Sequence, residues 1–535
     1  MTSLLTALPA ASERRRHAAQ AIAIVLAALA VWLLLATLLQ GRHLVPYPWE
    51  LAAQFAADGP LLAANIGPTL WVAAQGFLFG TLAIVPLAVI SVLAPVLEPI
   101  VVRVAVVVHV IPFVAIAPII VVTLQGDAAR VMIAALQVYF PLLIGILLGL
   151  RSTDERALDV VAASGGGRWA GLRFVRIPSA LPSLIAGLQI AVPAAILGAL
   201  IAEFFGADRG LGAILVNAQD ALLTDRVWVI AITIGLIATL GYALVTGLAR
   251  WLLPWAGKGA TVSSSVAGSE QVAISRWQAV AGGVASAVLL IGFWWSLRPL
   301  FHLDAFFIKD PADVVTFVTQ GNPITGAPAS VFWDAFFVAA GQTAVHAGVG
   351  FVVGTLVAVA GAILRVAVPG LQQVAMPFAI ILRSMPLVAL TPLIVLLFGR
   401  GLLGVTVLVT LVTFFPTLVT VILGLRAAPE NALDVIRASG GSSLTAALRV
   451  RLVYAVPAIT ASARIAVPAA VSGAMLAEWL ATGNGWGNLI TLAAVNADYY
   501  TLWSAGVLIV IFVLVLYTLI DLIDRAVARR LGVAF

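Results

Sequence analysis

Apolar runs long enough to cross a bilayer, which takes about 20 residues, recur along the whole of this chain. They fall at about 18–39, 64–94, 99–123, 130–150, 180–203 and 227–253, and again at about 277–297, 335–363, 371–397, 403–425, 455–477 and 502–522. Backbone polar groups in such runs find no water in lipid, so each must close its hydrogen bonds internally as a helix. Only 10% of the residues are charged, against roughly 25% in a soluble domain. A soluble globule is therefore excluded, and so is a disordered chain, which would be poor in apolar residues. The expected fold is an all-α integral membrane protein with about twelve spans. The first run is too long for the core of a cleaved signal peptide, typically about 7–15 residues, and reads as an uncleaved first span.

The two sets of six runs are copies of one another. Thr69, Gly76 and Gly80 match Thr343, Gly350 and Gly354. Pro112 and Pro118 match Pro386 and Pro392, and Phe140-Pro141 matches Phe415-Pro416. Leu158-Asp159 matches Leu433-Asp434, the run Ala191–Ala195 matches Ala466–Ala470, and Trp228 matches Trp503. So regular an offset marks an internal duplication. Residues 1–256 form the first repeat and 272–535 the second, with motif-bearing spans at about 64–253 and 335–522. Residues 257–271, rich in Gly, Ser and Thr, read as a cytoplasmic linker.

An even number of spans per repeat puts both copies in the same orientation, a parallel repeat. With the N-terminus inside, 20 of the 29 Lys and Arg residues fall on inner segments and 7 on outer ones. This agrees with the positive-inside rule and places both termini in the cytoplasm. The net charge of +6 is thus a topology signal, and no nucleic-acid partner is expected. The surrounding medium is membrane lipid.

Cysteine is absent and the five histidines are scattered, so neither thiolate chemistry nor a metal site is expected. Gly257–Thr261 (GKGAT) is not a phosphate loop: Leu252 stands where the leading glycine belongs, and no strand precedes it. No nucleophile–base pair is apparent. The chain reads as a transport subunit and not an enzyme, with no cofactor of its own.

Between spans four and five, each repeat carries a short amphipathic segment on the cytoplasmic side followed by a glycine-rich break. The first, Glu155–Leu188, begins ERALDVVAASGGGR; the second, Glu430–Ala463, begins ENALDVIRASGGSS. These segments resemble the cytoplasmic loop of ABC importer permeases, whose pattern is Glu-Ala-Ala, three residues, Gly, nine residues, then an apolar pair closed by Pro. Asp159-Val160-Val161, Gly165, Val175, Ile177 and Pro178 keep those spacings, as do Asp434-Val435-Ile436, Gly440, Val450 and Leu452. Asp replaces Glu in both copies, the alanines are larger, and Val453 stands in place of the closing Pro. The runs Leu181–Val192, Ala202–Gly212 and Ala477–Gly487 most resemble permeases of the taurine, nitrate and sulfonate type, here two units fused in one chain.

The resemblance implies a type I importer permease of the bacterial inner membrane working by alternating access. Two copies of an ATPase subunit, holding ATP and Mg, would dock on helices carrying Glu155, Asp159, Gly165, Arg168, Glu430, Asp434 and Gly440. An extracytoplasmic binding protein would deliver a small solute, with an anion one option. The longest outer segment, about 298–334, is too short to be a binding domain itself.

Polar residues within spans are costly and mark either a solute path or a helix–helix contact. His109 and Arg383 occupy equivalent positions in span three, Gln137 and Tyr139 lie in span four, and Gln189 and Arg464 in span five. They are candidates for the path, with helix–helix bonding as the other reading. Glu203 and Glu478, near the outer end of span five, precede turns at Gly210 and Gly485 that could face the binding protein or simply cap the helix. The small pairs Gly76/Gly80 and Gly350/Gly354 suggest close helix packing. A twelve-span secondary transporter would share the parallel repeat, but it needs coupling-ion carboxylates within its spans, and none stands out.

Overall fold

In the computed structural model the described residues are 26, 29–42, 44–94, 97–124, 126–253, 276–367 and 387–531. Arg383, Pro386, the linker and the N-terminal arginines lie outside them. All regular structure among the described residues is helical. In the first repeat the helices are α1 (Leu29–Leu38), α2 (Pro48–Ala57), α3 (Gly59–Leu93), α4 (Glu98–Val110), α5 (Phe113–Leu124), α6 (Gly126–Arg151), α7 (Glu155–Ala163), α8 (Arg168–Phe204), α9 (Leu211–Asp220) and α10 (Thr224–Leu252). In the second they are α11 (Arg276–Leu300), α12 (Pro311–Gln320), α13 (Ala329–Ala367), α14 (Leu387–Phe398), α15 (Leu402–Arg426), α16 (Glu430–Ala438), α17 (Ser443–Thr482), α18 (Gly485–Val495) and α19 (Tyr499–Arg530). Among the described residues each second-repeat helix has a first-repeat counterpart, and the counterpart of α4 falls outside them.

Nine of the described helices are long and apolar enough to cross a membrane, or ten if α4 and α5 make one broken span. Two of the twelve expected spans fall partly outside the described residues: α1 and α14 are their visible portions. The third span is not straight. α4 and α5 meet at 94° around Ile111-Pro112. Proline cannot donate an N–H and disfavours helical geometry in the residue before it, and Ile111 is accordingly extended (φ −64°, ψ 125°).

Within each repeat, spans two, four and five form the packed centre, α3–α6–α8 and α13–α15–α17. Small residues set the spacing. A Cβ on Gly76 would meet Ala134, one on Gly80 the Ala135 carbonyl at 2.9 Å, one on Gly350 Val409, and one on Gly354 Thr413. The two Gly-x-x-x-Gly pairs are therefore packing faces.

The repeats interlock. α5 of the first packs on α17, α18 and α19 of the second, while α14 of the second packs on α8, α9 and α10 of the first. One continuous apolar core, running from Leu51 to Val513, spans both. Lateral faces such as Leu240, Leu244, Val352 and Leu356 are more than half exposed, as expected where lipid is the solvent.

Candidate functional site: two short helices before the fifth spans and the turns after them

α7 and α16 hang between spans four and five as matched nine-residue helices. Each ends at a serine with the same backbone (φ −82°, ψ 10°) and then turns through a left-handed glycine, Gly165 (φ +78°) or Gly440 (φ +72°). A side chain there would be strained, so glycine is required. Glu155, Asp159, Glu430 and Asp434 are all exposed, and so are Val160 (66%) and Val435 (64%) beside the two aspartates. The two copies thus present an exposed apolar residue beside an acid at the same place. Arg168 is also exposed, and its Nη1 donates to the Leu93 carbonyl at 3.3 Å, tying this junction to the end of α3.

Beyond each helix the chain widens into a π-turn before entering span five, over Leu172–Arg176 and Ala447–Arg451. Such turns often mark functional sites. Pro178 follows the first and Val453 occupies its place after the second, so proline is not what produces the turn. The spacing of the motif concealed this feature.

The copies differ in charge. Arg437 bridges Asp434 (2.7 Å) and Glu430 (3.1 Å) on α16, and both acids hold its guanidinium above its ordinary pKa. Ala162 stands at the corresponding place on α7.

At the C-terminal ends of α8 and α17 the expected turns are present, but the carboxylates face inward. Glu203 is 2% exposed and Glu478 fully buried. They do not form an outward-facing surface; each is the buried anchor of the turn that follows. Gly212 N–H donates to Glu203 Oε2 at 2.7 Å and Gly487 N–H to Glu478 Oε2 at 3.0 Å. Gly210 and Gly485 adopt positive φ (+127° and +77°), and a Cβ on either would overlap the carboxylate. Span two completes the anchor. Asn65 accepts from Gly210 N–H and Thr69 from Leu211 N–H, both at 2.8 Å; Gln342 accepts from Gly485 N–H (2.8 Å) and Thr343 from Trp486 N–H (2.9 Å). The α9 and α18 N-termini are thereby satisfied from inside the protein.

The anchors are wired differently. Glu478 also accepts from Thr343 Oγ1 (2.9 Å) and sits 2.9 Å from His346 Nδ1. Glu203 Oε1 is buried without a hydrogen-bond partner, and Val72 occupies the place of His346.

The intramembrane candidates divide. Gln189 Nε2 donates to Thr246 Oγ1 at 3.0 Å, and at the equivalent positions Arg464 pairs with Asp521 at 2.7 Å. Asp524 joins this cluster through Arg464 (3.5 Å) and Thr460 (2.6 Å). Gln189 and Arg464 thus tie span five to span six. Four carboxylates lie at or near the span ends: Glu203, Glu478, Asp521 and Asp524. Glu478, Asp521 and Asp524 meet fixed side-chain partners, and Glu203 holds the Gly212 amide. The sequence concealed Asp521 and Asp524, because positions near a span end read as boundary residues. Tyr139 Oη donates to the Ala105 carbonyl at 2.7 Å, bonding α6 to α4. Gln137 is half-buried on α6, and a Cβ on Gly198 of α8 would touch its Cγ at 3.1 Å. His109 differs from the rest. It stacks on Phe140 (3.6 Å, 7°) just before the α4–α5 break and keeps an exposed surface. Its counterpart, Arg383, lies outside the described residues.

The duplication, the buried anchors and the paired short helices α7 and α16 coincide with a family match. Residues 76–258 and 350–533 each match the model of the binding-protein-dependent transport system inner membrane component. The chain belongs to that family, with two units in tandem. It is 35% identical over 146 residues to the riboflavin transport system permease protein RibX of Chloroflexus aurantiacus, a stretch covering 27% of this chain and 54% of that protein. To a probable ABC transporter permease protein of Haemophilus influenzae it is 32% identical over 203 residues, 37% of this chain and 81% of that one. To the taurine transport system permease protein TauC of Escherichia coli it is 30% identical over 136 residues, 25% and 48% respectively. For RibX and TauC the chain spans about half of the relative's length. No solved structure matches. The protein is thus a multi-pass ABC permease, the transport subunit type that is not itself catalytic.

Proposed function

We propose that this permease supplies both halves of the membrane pathway of an ATP-driven importer. Two copies of one ATPase subunit, carrying ATP and Mg, dock on α7 and α16 at the cytoplasmic face, where both termini also lie. A binding protein delivers a small solute to the outer mouth. ATP-driven closure of the two subunits moves the two cytoplasmic helices, and the π-turns pass that motion to spans four and five.

The observation that carries this reading is the pair of exposed Asp-Val surfaces, Asp159-Val160 and Asp434-Val435, set on identical helix–glycine frames. Matched surfaces fit two copies of one partner. His109, exposed and stacked on Phe140 beside the broken third span, is the path residue we assign among the described ones. The reading is tested by expressing the chain with its ATPase. Val160→Asp with Val435→Asp should abolish co-purification while helical content and yield stay unchanged. Retained ATPase in the double variant would contradict the assignment.

A further inference from the structure

The outer ends of the two fifth spans meet across the boundary between the repeats. Phe205 lies flat on the Trp479 indole, with ring centroids 4.2 Å apart and planes 8° from parallel. Phe204 meets the same indole at 5.9 Å and 57°. Phe204 and Phe205 directly follow Glu203, and Trp479 directly follows Glu478. Each aromatic group is thus held at the end of its helix by the buried carboxylate that anchors the next turn. Beside the stack, Gln219 of α9 reaches across the same boundary and donates from Nε2 to the Leu480 carbonyl at 3.2 Å. Gln219 is 3% exposed, and its Oε1 is buried without a partner.

These features oppose one another. The flat aromatic stack and the Gln219 bond hold the boundary shut, while the stranded Oε1 atom would regain hydrogen bonds if water entered. A contact balanced in this way suits a boundary with two discrete arrangements. It also bends at its own joint: Trp479 and Leu480 sit in a π-turn, Glu478–Thr482, closed by Gly483 at φ +68°. The corresponding end of α8 has no π-turn, so the second repeat carries the deformable side.

We propose that the Phe205–Trp479 stack is the outer gate of the solute path, with Gln219 setting its balance. Solute passing between the repeats from outside requires the two rings to part. This rests on the importer reading above.

The chain contains no cysteine, so an introduced pair supplies the only two thiols of this chain. Phe205→Cys with Trp479→Cys, in the complex with its ATPase and binding protein in proteoliposomes, should cross-link in the absence of nucleotide. Cross-linking should cut uptake at least about tenfold, with recovery on reduction. Trp479→Ala should raise ATP hydrolysis in the absence of binding protein several-fold, while Trp479→Phe keeps it low. Undiminished uptake in the cross-linked complex, failure of the pair to cross-link, or tight coupling in Trp479→Ala would each overturn the gate. Absence of ATP-driven uptake in the unsubstituted complex would overturn the importer reading, and the gate with it. Normal uptake there together with undiminished cross-linked uptake would overturn the gate alone.

Discussion

The two repeats share a backbone but not a wiring scheme. At three equivalent places the first repeat has an uncharged side chain where the second has arginine or histidine. Gln189–Thr246 becomes Arg464–Asp521, with Asp524 added. Val72 beside Glu203 becomes His346 beside Glu478. Ala162 on α7 becomes Arg437 on α16. Duplication preserves what geometry demands: the positive-φ glycines, the small packing residues and the anchor carboxylates. It leaves free how each polar group is satisfied. A fused chain can use that freedom, because its halves need not be interchangeable, whereas a homodimer of single units must place the same residues on both sides.

The largest predicted difference is at the ties between spans five and six. Arg464→Leu removes the cation shared by Asp521 and Asp524, leaving Asp521 with Arg525 (2.6 Å) and Asp524 with Thr460 (2.6 Å), and should cost about 3 kcal/mol. Gln189→Leu should cost about 1 kcal/mol or less, since Thr246 still donates to the Tyr242 carbonyl at 2.8 Å. Thermal unfolding of the two detergent-solubilised variants measures the gap, and equal losses would remove the contrast.

Next come the buried anchors. Glu478→Ala strands Thr343, His346 and the Gly487 N–H, whereas Glu203→Ala removes a carboxylate with one oxygen already unpartnered. The first should be the more destabilising, by about 1–3 kcal/mol. His346→Val, which makes the second anchor like the first, should fall between wild type and Glu478→Ala. A loss from Glu203→Ala equal to that from Glu478→Ala would show that the extra partners add nothing.

Each repeat also carries an ion pair outside the membrane, placed differently. Asp58 is buried against Arg226 at 2.8 Å, while Arg298 faces Asp310 and Asp313 at 3.4 and 3.5 Å with all three partly exposed. The Arg226 hydrogen bond holds the Asp58 carboxyl below its ordinary pKa of 3.8. A depressed carboxylate stabilises the fold above its unfolded pKa, and that contribution is lost as pH falls through the lower folded value. Arg226→Ala should therefore cost about 1–3 kcal/mol at neutral pH. Its melting temperature should converge with wild type as the medium is acidified below pH 3.8.

The smallest effect is expected at Arg437. Its ion pairs are exposed, and exposed pairs contribute little. Arg437→Ala should leave ATPase binding and melting unchanged, making the two cytoplasmic helices alike. A clear loss of ATPase from this variant would show that the helices are read differently.

The sequence made much of this legible. Apolar run length, the duplication and the glycine turns after α7 and α16 all follow from rules about lipid, helices and positive φ. Other features were hidden for physical reasons. The break at Ile111-Pro112 was hidden because proline inside a span bends some helices and not others: α6 continues through Pro141. The inward turn of Glu203 and Glu478 depends on Thr69 and Thr343 more than 130 residues away, and periodicity does not report such contacts. The ties at Gln189 and Arg464 hid for the same reason, as their partners lie on another span.

The central claim is that α7 and α16 each receive one copy of the same ATPase subunit. The mass of the intact complex, purified with its ATPase and measured by native mass spectrometry, tests it most directly. One permease chain should carry two ATPase subunits, with one lost in Val160→Asp or Val435→Asp and both lost in the double variant. A single ATPase per wild-type chain, or two retained in the double variant, would contradict it.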